Sequence, residues 1–228
     1  MLYSHIRKGT FLRRPNRFIA EVIIDGKLTL CHVKNTGRCK ELLVPETTVF
    51  VEEVFSEKRK TKFDLIAVEK QGVLINMDAQ APNCVFREYI NCGSFLPNIT
   101  YIRPEYRWGD SRFDFYLEQG NLRHLVEVKG VTLEENGVVR FPDAPTERGI
   151  KHIRGLISAM DQGFSSWICF VVQLGRAKYL VPNDDTHPEF GQALRAAKVS
   201  TYWRLHVMSR LIRWRLPTIF QFVYKGVR

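Results

Sequence analysis

The sequence has no Cys-x-x-Cys pair, no apolar run near membrane length and no glycine-rich phosphate loop. Its last thirty residues hold no acidic side chain. Each absence excludes something. The cysteines at 31, 39, 84, 92 and 169 are odd in number and unpaired in spacing, which argues against a disulfide framework and for reduced thiols in a cytoplasm. Cys31, His32 and Cys39 match no usual zinc spacing, and a fourth ligand is not evident. No stretch approaches the ~20 apolar residues of a membrane helix, and MLYSHIRKGTFLRR lacks the apolar centre of a signal peptide. A soluble, intracellular chain without a membrane partner is expected. The missing phosphate loop, and the lack of a Trp-lined groove, speak against a small-molecule sensor.

What is present reads as globular. The chain has 228 residues, 45% apolar and 12% aromatic, enough for one large domain or two small ones. Its net charge of +10 favours a polyanionic partner. That charge needs discounting, because the stretch after Lys198 contributes six of the ten.

The first eighty residues alternate like short strands. RFIAEVII (17–24) and KLTLCHV (27–33) flank Asp25-Gly26, a strong hairpin signal. GRCKELL (37–43) reads as a short helix or turn. Strands at 47–55, 63–69 and 73–77 follow, the last two joined at Gln71-Gly72. Five short strands predict a small closed barrel, either OB-like or SH3-like. The loop 57–62 carries Lys58, Arg59, Lys60 and Lys62, and Arg14, Arg17, Lys34, Arg38 and Lys40 add charge around the first strands. Arg38, Lys58, Arg59 and Lys60 are the barrel's candidate phosphate contacts. Phe18 is either a base-stacking ring or, as with most strand aromatics, core, and is left outside the candidate set.

A boundary is expected near AQAPNCV (79–85), where Pro and Asn interrupt the pattern. The helix NCVFREYINCG follows, bearing Glu88, and 98–103 is a weak first strand. After a central hairpin, a helix starts at Thr146 as N-cap, with Ile150, Ile153, Ile157 and Met160 as its buried stripe. Arg148 and Lys151 on another face suit a phosphate track. His152 beside them is either a general base or a phosphate contact. WICFVVQL (167–174) is a strand buried on both faces, YLVP (179–182) a short strand and PEFGQALRAA (188–197) a helix.

The chemistry concentrates in GDSRFDFYLEQGNLRHLVEVKG (109–130). Two strands meet at Gly120-Asn121, a turn with positive φ at its first residue. That centring pairs residues whose numbers sum to 241, which sets Asp114 opposite Glu127. Centring on Gln119-Gly120 would instead pair Asp114 with Leu125. In the first register, period two puts Phe113, Phe115, Val126 and Val128 on a core face, with Arg112, Asp114, Glu127 and Lys129 on the other. Two carboxylates directly opposite each other repel unless a cation lies between them, and a hard divalent ion fits.

An Asp in one strand and Glu-x-Lys in the next resembles the PD-(D/E)xK nuclease superfamily. With RPNRFIAEV (14–22), HVKNTGRCKELL (32–43), EVKGVTL (127–133), FPDAPTERGIKHI (141–153) and VPNDDTHPEF (181–190), the chain resembles the sugar fermentation stimulation protein A family up to about residue 198. The resemblance implies a mixed α/β protein. Residues 1–82 would form an OB-like barrel, and 83–228 a restriction-endonuclease-like domain with 199–228 as a divergent tail. VSTYWRLHV within that tail is a candidate last strand. It also implies DNA binding, possibly RNA binding, and a link to the regulation of maltose metabolism. The implied catalytic set is Asp114, Glu127 and Lys129. Mg²⁺ or Mn²⁺ would be held by Asp114, Glu127, the Val128 carbonyl and Glu88.

Overall fold

The computed structural model describes residues 1–197 apart from 36, 38 and 176, together with the backbone of 204–209. The described chain divides into two compact units, one of Met1–Ala81 with Gln173–Arg176 added and one of the remainder.

The first unit is built on strands β1 (Ile6–Asn16), β2 (Ile19–Ile24), β3 (Lys27–Val33), β4 (Thr48–Glu53), β5 (Phe63–Lys70) and β6 (Val73–Asn76). Their order is β3-β2-β1-β4-β5-β6, and a parallel pairing of Cys31–Val33 with Phe63–Leu65 closes β3 onto β5. The barrel therefore has five strands, β1 to β5, with β6 added outside. The sequence reading reached five by omitting β1 and counting β6. In β1 only Gly9 and Phe11 are buried, and its basic residues hide the alternation. The turns at Asp25-Gly26 and Gln71-Gly72 have positive φ at both central residues, the type I′ geometry that keeps strand twist. Residues 40–42 form a turn rather than a helix.

In the second unit α1 (Ala81–Asn91) leads into β7 (Tyr101–Trp108), β8 (Ser111–Gln119) and β9 (Leu122–Val131). The strand expected at 98–103 therefore lies three residues later at its start and runs on to Trp108. A hairpin of β10 (Leu133–Glu135) and β11 (Val138–Phe141) comes next, turning at Asn136-Gly137. After it come α2 (Glu147–Met160), β12 (Phe164–Val172), β13 (Tyr179–Pro182), α3 (Pro188–Ala197) and β14 (Arg204–Ser209). The main sheet runs β14-β12-β9-β8-β7, and a small sheet runs β10-β11-β13. β14 lies parallel to β12, so the tail contributes a strand, and its first four residues are the RLHV that closes the expected segment VSTYWRLHV. The rest of the tail, 199–203 and 210–228, is outside the described residues.

Alternation along β12 sorts the two faces of the sheet. Trp167, Cys169 and Val171 pack with Phe86, Tyr89 and Ile90 of α1, while Ser166 on the other face donates to the Leu156 carbonyl of α2 at 2.6 Å. Each helix is stopped or started by its own chemistry. Gly93 ends α1 at positive φ, with Ser94 N–H donating to the Tyr89 carbonyl and Gly93 N–H to that of Ile90. Thr146 caps α2, its Oγ1 accepting from Gly149 N–H at 3.0 Å, as read from the sequence.

Candidate active site

The hairpin register is the one centred on Gly120-Asn121. Phe115 pairs with Val126, Tyr116 with Leu125 and Leu117 with His124, and Gly120 has φ of +57°. The pairing with β9 stops at Phe115. On the other side, Pro104 pairs with Phe115 and Tyr106 with Phe113, but Glu105, with φ of +54°, is skipped. Asp114 thus sits where β8 has lost its regular partners on both flanks.

The loss reverses the alternation. Phe115 packs under α1, whereas the Phe113 ring lies 5.8 Å from that of His152 on α2. The expectation that Phe113 shares a face with Phe115, and Asp114 with Arg112, is therefore corrected. Arg112 is instead paired with Glu105 at 2.8 Å. Asp114 is held at the fork of the strands. Its Oδ2 accepts from Val128 N–H at 2.7 Å and its Oδ1 from the Asn83 amide on α1 at 2.9 Å.

Glu127 points to the α2 side and is 2% exposed. Its Oε1 is bonded by Lys129 Nζ and by His152 Nδ1. Its Oε2 is buried and meets no hydrogen-bond partner. His152 Nε2 lies 3.4 Å from Arg148 Nε, which can only donate. The imidazole proton therefore belongs on Nδ1, where it fixes the carboxylate rotamer and leaves Oε2 as the free oxygen. Burial pushes the Glu127 carboxyl up, but His152 and Lys129 outweigh it and hold the group below the usual carboxylate range. At Asp114, burial and the Glu127 charge win over the Val128, Asn83 and Lys129 contacts, and the carboxyl is raised. Asp114 feels the Glu127 charge, and Glu127 itself keeps one buried oxygen unsatisfied. Desolvated paired carboxylates of this kind fit a divalent cation.

The wider ligand set does not assemble as expected. Glu88 is exposed, five residues past Asn83 and so about 7.5 Å along the helix from the turn that reaches Asp114. No group of three or more His, Cys, Asp or Glu side chains is placed to hold a metal among the described residues. Two carboxylates with water and phosphate ligands are the pattern that suits Mg²⁺. His152 was weighed in the sequence but not counted. Its signal is its place on the inner face of α2, where Ile150 and Ile153 of the expected stripe are buried with Gly149, His152, Leu156 and Ala159, while Ile157 and Met160 are half-buried. Arg148 and Lys151 are exposed, as a phosphate track requires.

If the carboxylates hold a divalent cation, His152→Ala is expected to weaken its binding ~10–100-fold, the usual cost of losing a group that orients a ligand. Calorimetry reads it directly. His152→Asn, whose amide nitrogen can donate from the place of Nδ1, should recover most of the loss. Unchanged affinity in the Ala variant would mean that Glu127 is oriented without His152.

On the barrel, Lys58 and Lys60 are exposed, and Arg38 lies outside the described residues. Arg59 is not a free phosphate contact. It bonds Asp64, which is 5% exposed and also meets His32 Nδ1 at 3.2 Å. Burial alone would raise the Asp64 carboxyl, and Arg59 and His32 together hold it below its ordinary value. A carboxyl depressed on folding adds stability above its unfolded pKa of about 3.9 and loses that stability as pH falls through the folded value. Melting temperature should therefore drop more steeply with acid, below about pH 4, in the native protein than in Asp64→Asn. Parallel acid profiles would count against this pair. Among the cysteines, Cys31 and Cys39 are buried, and burial pushes the Cys31 thiol up to about 12.

A closed five-strand barrel and a mixed sheet with carboxylates at a strand fork define an OB-fold joined to a restriction-endonuclease-like fold. Two family models match, the SfsA N-terminal OB domain over residues 12–77 and the sugar fermentation stimulation protein RE domain over residues 80–208. The second runs ten residues past the point where the sequence pattern breaks off. The chain is 53% identical over 198 residues to the sugar fermentation stimulation protein homolog of Clostridium beijerinckii, covering 87% of this chain and 88% of that one. It is 55% identical to the homolog of Desulfitobacterium hafniense, covering 87% and 86%. The solved structure of Pyrococcus furiosus SfsA in complex with Ca²⁺ is similar at a TM-score of 0.83 and 27% identity, covering 91% of this chain and 90% of that one. The chain belongs to the sugar fermentation stimulation protein family. No helix among the described residues is long and apolar enough to cross a membrane.

Proposed function

We propose that this protein binds DNA with little sequence preference and holds a divalent cation, Mg²⁺ or Mn²⁺, at Asp114 and Glu127, with which it hydrolyses a phosphodiester. The observation that carries the reading is the buried, unpartnered Oε2 of Glu127 beside a second desolvated carboxylate. The Ca²⁺ complex of the Pyrococcus furiosus relative supports a divalent ion in this fold. When bound, such an ion polarises a phosphoryl oxygen and lowers the pKa of a coordinated water.

The chain's own residues supply the rest. Asn83 and the Val128 amide hold Asp114 at the fork. Lys129, half-buried on the Glu127 carboxylate, is a cation within reach of the charge that develops on the phosphoryl group. Arg148 and Lys151 on α2 offer backbone phosphates a positive face, and Lys58 and Lys60 do so on the barrel. Nothing in these contacts reads base edges, which favours sequence-tolerant binding. The sugar in the family name then refers to what the bound DNA controls, and no sugar site is needed.

The test is cleavage of single- and double-stranded DNA and of RNA with Mg²⁺, Mn²⁺ or chelator, beside a cation titration. Cation-dependent cleavage is expected. Saturable cation binding without cleavage of any substrate would reduce the site to a phosphate clamp, and no cation binding would remove the reading. DNA affinity should fall steeply with salt in proportion to the phosphates neutralised.

A further inference from the structure

A cleft of about 490 Å³ opens on the barrel unit, lined by Phe18, His32, Lys34, Lys60, Asp64 and Gln80 among others. Its volume is that of a small-ligand site. Phe18 was an ambiguous ring in the sequence and is not core. It is 44% exposed, in the turn between β1 and β2.

An exposed aromatic ring usually sits on a yielding loop, and this one does not. Asn16 Oδ1 accepts from the N–H groups of Phe18 and Ile19 at 2.9 and 3.1 Å, fixing the turn. The Phe18 carbonyl accepts from Val33 N–H at 2.7 Å. Arg14 ties the same turn to its neighbours, donating to the carbonyls of Arg17, Asn35 and Gly37 at 2.6–2.7 Å. Arg17 lies over the ring at 4.9 Å. The ring is thus presented on a rigid backbone, with the ordering entropy already spent in folding.

The walls suit an anion. The one carboxylate among the described lining residues, Asp64, is paired with Arg59 and within hydrogen-bond distance of His32. Lys34 is paired with Asp78, and Lys60, on the loop between β4 and β5, is exposed. His32 and Gln80 bring donors and acceptors to the same space. Loops at these two places are the ones with which OB-folds hold oligonucleotides and oligosaccharides. A free π-face belongs to an unpaired base, since both faces of a base inside a duplex are covered by its neighbours. Phosphate contacts alone would need no aromatic ring here.

We propose that this cleft binds one unpaired base of a single-stranded nucleic acid, stacked on Phe18, with an adjacent phosphate at Lys60. The proposal rests on the nucleic-acid reading above and adds single-strand selectivity to it. It is independent of the carboxylate site.

The experiment is anisotropy of labelled single-stranded and duplex oligonucleotides of equal length with the full chain. Phe18→Ala should weaken single-strand binding about tenfold or more, as expected of one lost stacking contact, and leave duplex affinity unchanged. The unchanged duplex arm shows that the variant is folded. Phe18→Trp should restore single-strand affinity, and its indole emission should be quenched on binding. Equal losses on both substrates, or none, overturn the proposal while leaving the nucleic-acid reading intact. Failure of the native protein to bind either substrate at low salt removes both. Displacement of the oligonucleotide by maltooligosaccharide, lost in Phe18→Ala, would assign the cleft to a sugar and overturn the proposal as well.

Discussion

Asp114→Asn is expected to bring cation-dependent cleavage down by well over the ~100-fold that even outer-shell partners reach, while DNA affinity stays within about threefold. On the proposed reading the two readouts separate, because different residues would place DNA and hold the ion. Asp114 is half-buried at the strand fork, whereas Lys58, Lys60, Arg148 and Lys151, the cations assigned to phosphate, are exposed. The substitution keeps shape and can still accept from Val128 N–H, so the fork should survive. It removes one of the two carboxylate charges that would hold a cation. Cation affinity measured by calorimetry should fall in step with cleavage. Cleavage that persists at native rate in Asp114→Asn would place the chemistry elsewhere.

The second large effect is on stability. Phe86 of α1 is fully buried, and its ring meets those of Phe95 at 4.9 Å and Phe115 at 5.3 Å. Phe86→Ala should cost about 3–5 kcal/mol, the usual toll of a large aromatic lost from a packed core. Denaturant unfolding measures it. The site would suffer with the core, since α1 carries Asn83 and so the donor to Asp114 Oδ1. Loss of cation affinity in this variant before global unfolding would show that the helix is what holds the carboxylate. A cost below about 1 kcal/mol would mean the cluster can collapse around the gap.

Much of the site was legible because turns and periodicity are local. Gly120-Asn121 sets the hairpin register, and from it follows the nearness of Asp114 to Glu127. Thr146, the apolar run of β12 and the helix 188–197 read correctly for the same reason. What escaped depends on partners far along the chain. The reversal at Asp114 is tied to the skipped pairing with Glu105 on β7, and residues 104–105 carry no mark of it beyond a proline in a strand. His152 is buried because Glu127 bonds it, and an apolar stripe count passes over a polar core residue. β1 hides its strand character because Arg13 spends its charge on Glu21 of the next strand, at 2.7 Å. Arg59 looked like a phosphate contact beside Lys58 and Lys60, and only the fold shows that Asp64 takes it. The Asn136-Gly137 hairpin is signalled by its two letters, but flanks of three and four residues give too little alternation to read.

The barrel unit is not continuous in sequence. Gln173 donates its side-chain amide to the Asn76 carbonyl and Oδ1 and to the Asp78 carbonyl, at 3.1–3.2 Å, and Leu174 bridges to Ile75. Asn76 and Asp78 are themselves fully buried, with Tyr3 and Lys34 on the same network. A growing chain leaves the ribosome with Asn76 and Asp78 long before Gln173. At usual elongation rates the wait is about 5–20 s. For that interval the carbonyls that Gln173 will meet are left to water, and the barrel unit is finished only after β12, the strand that precedes Gln173, has been made.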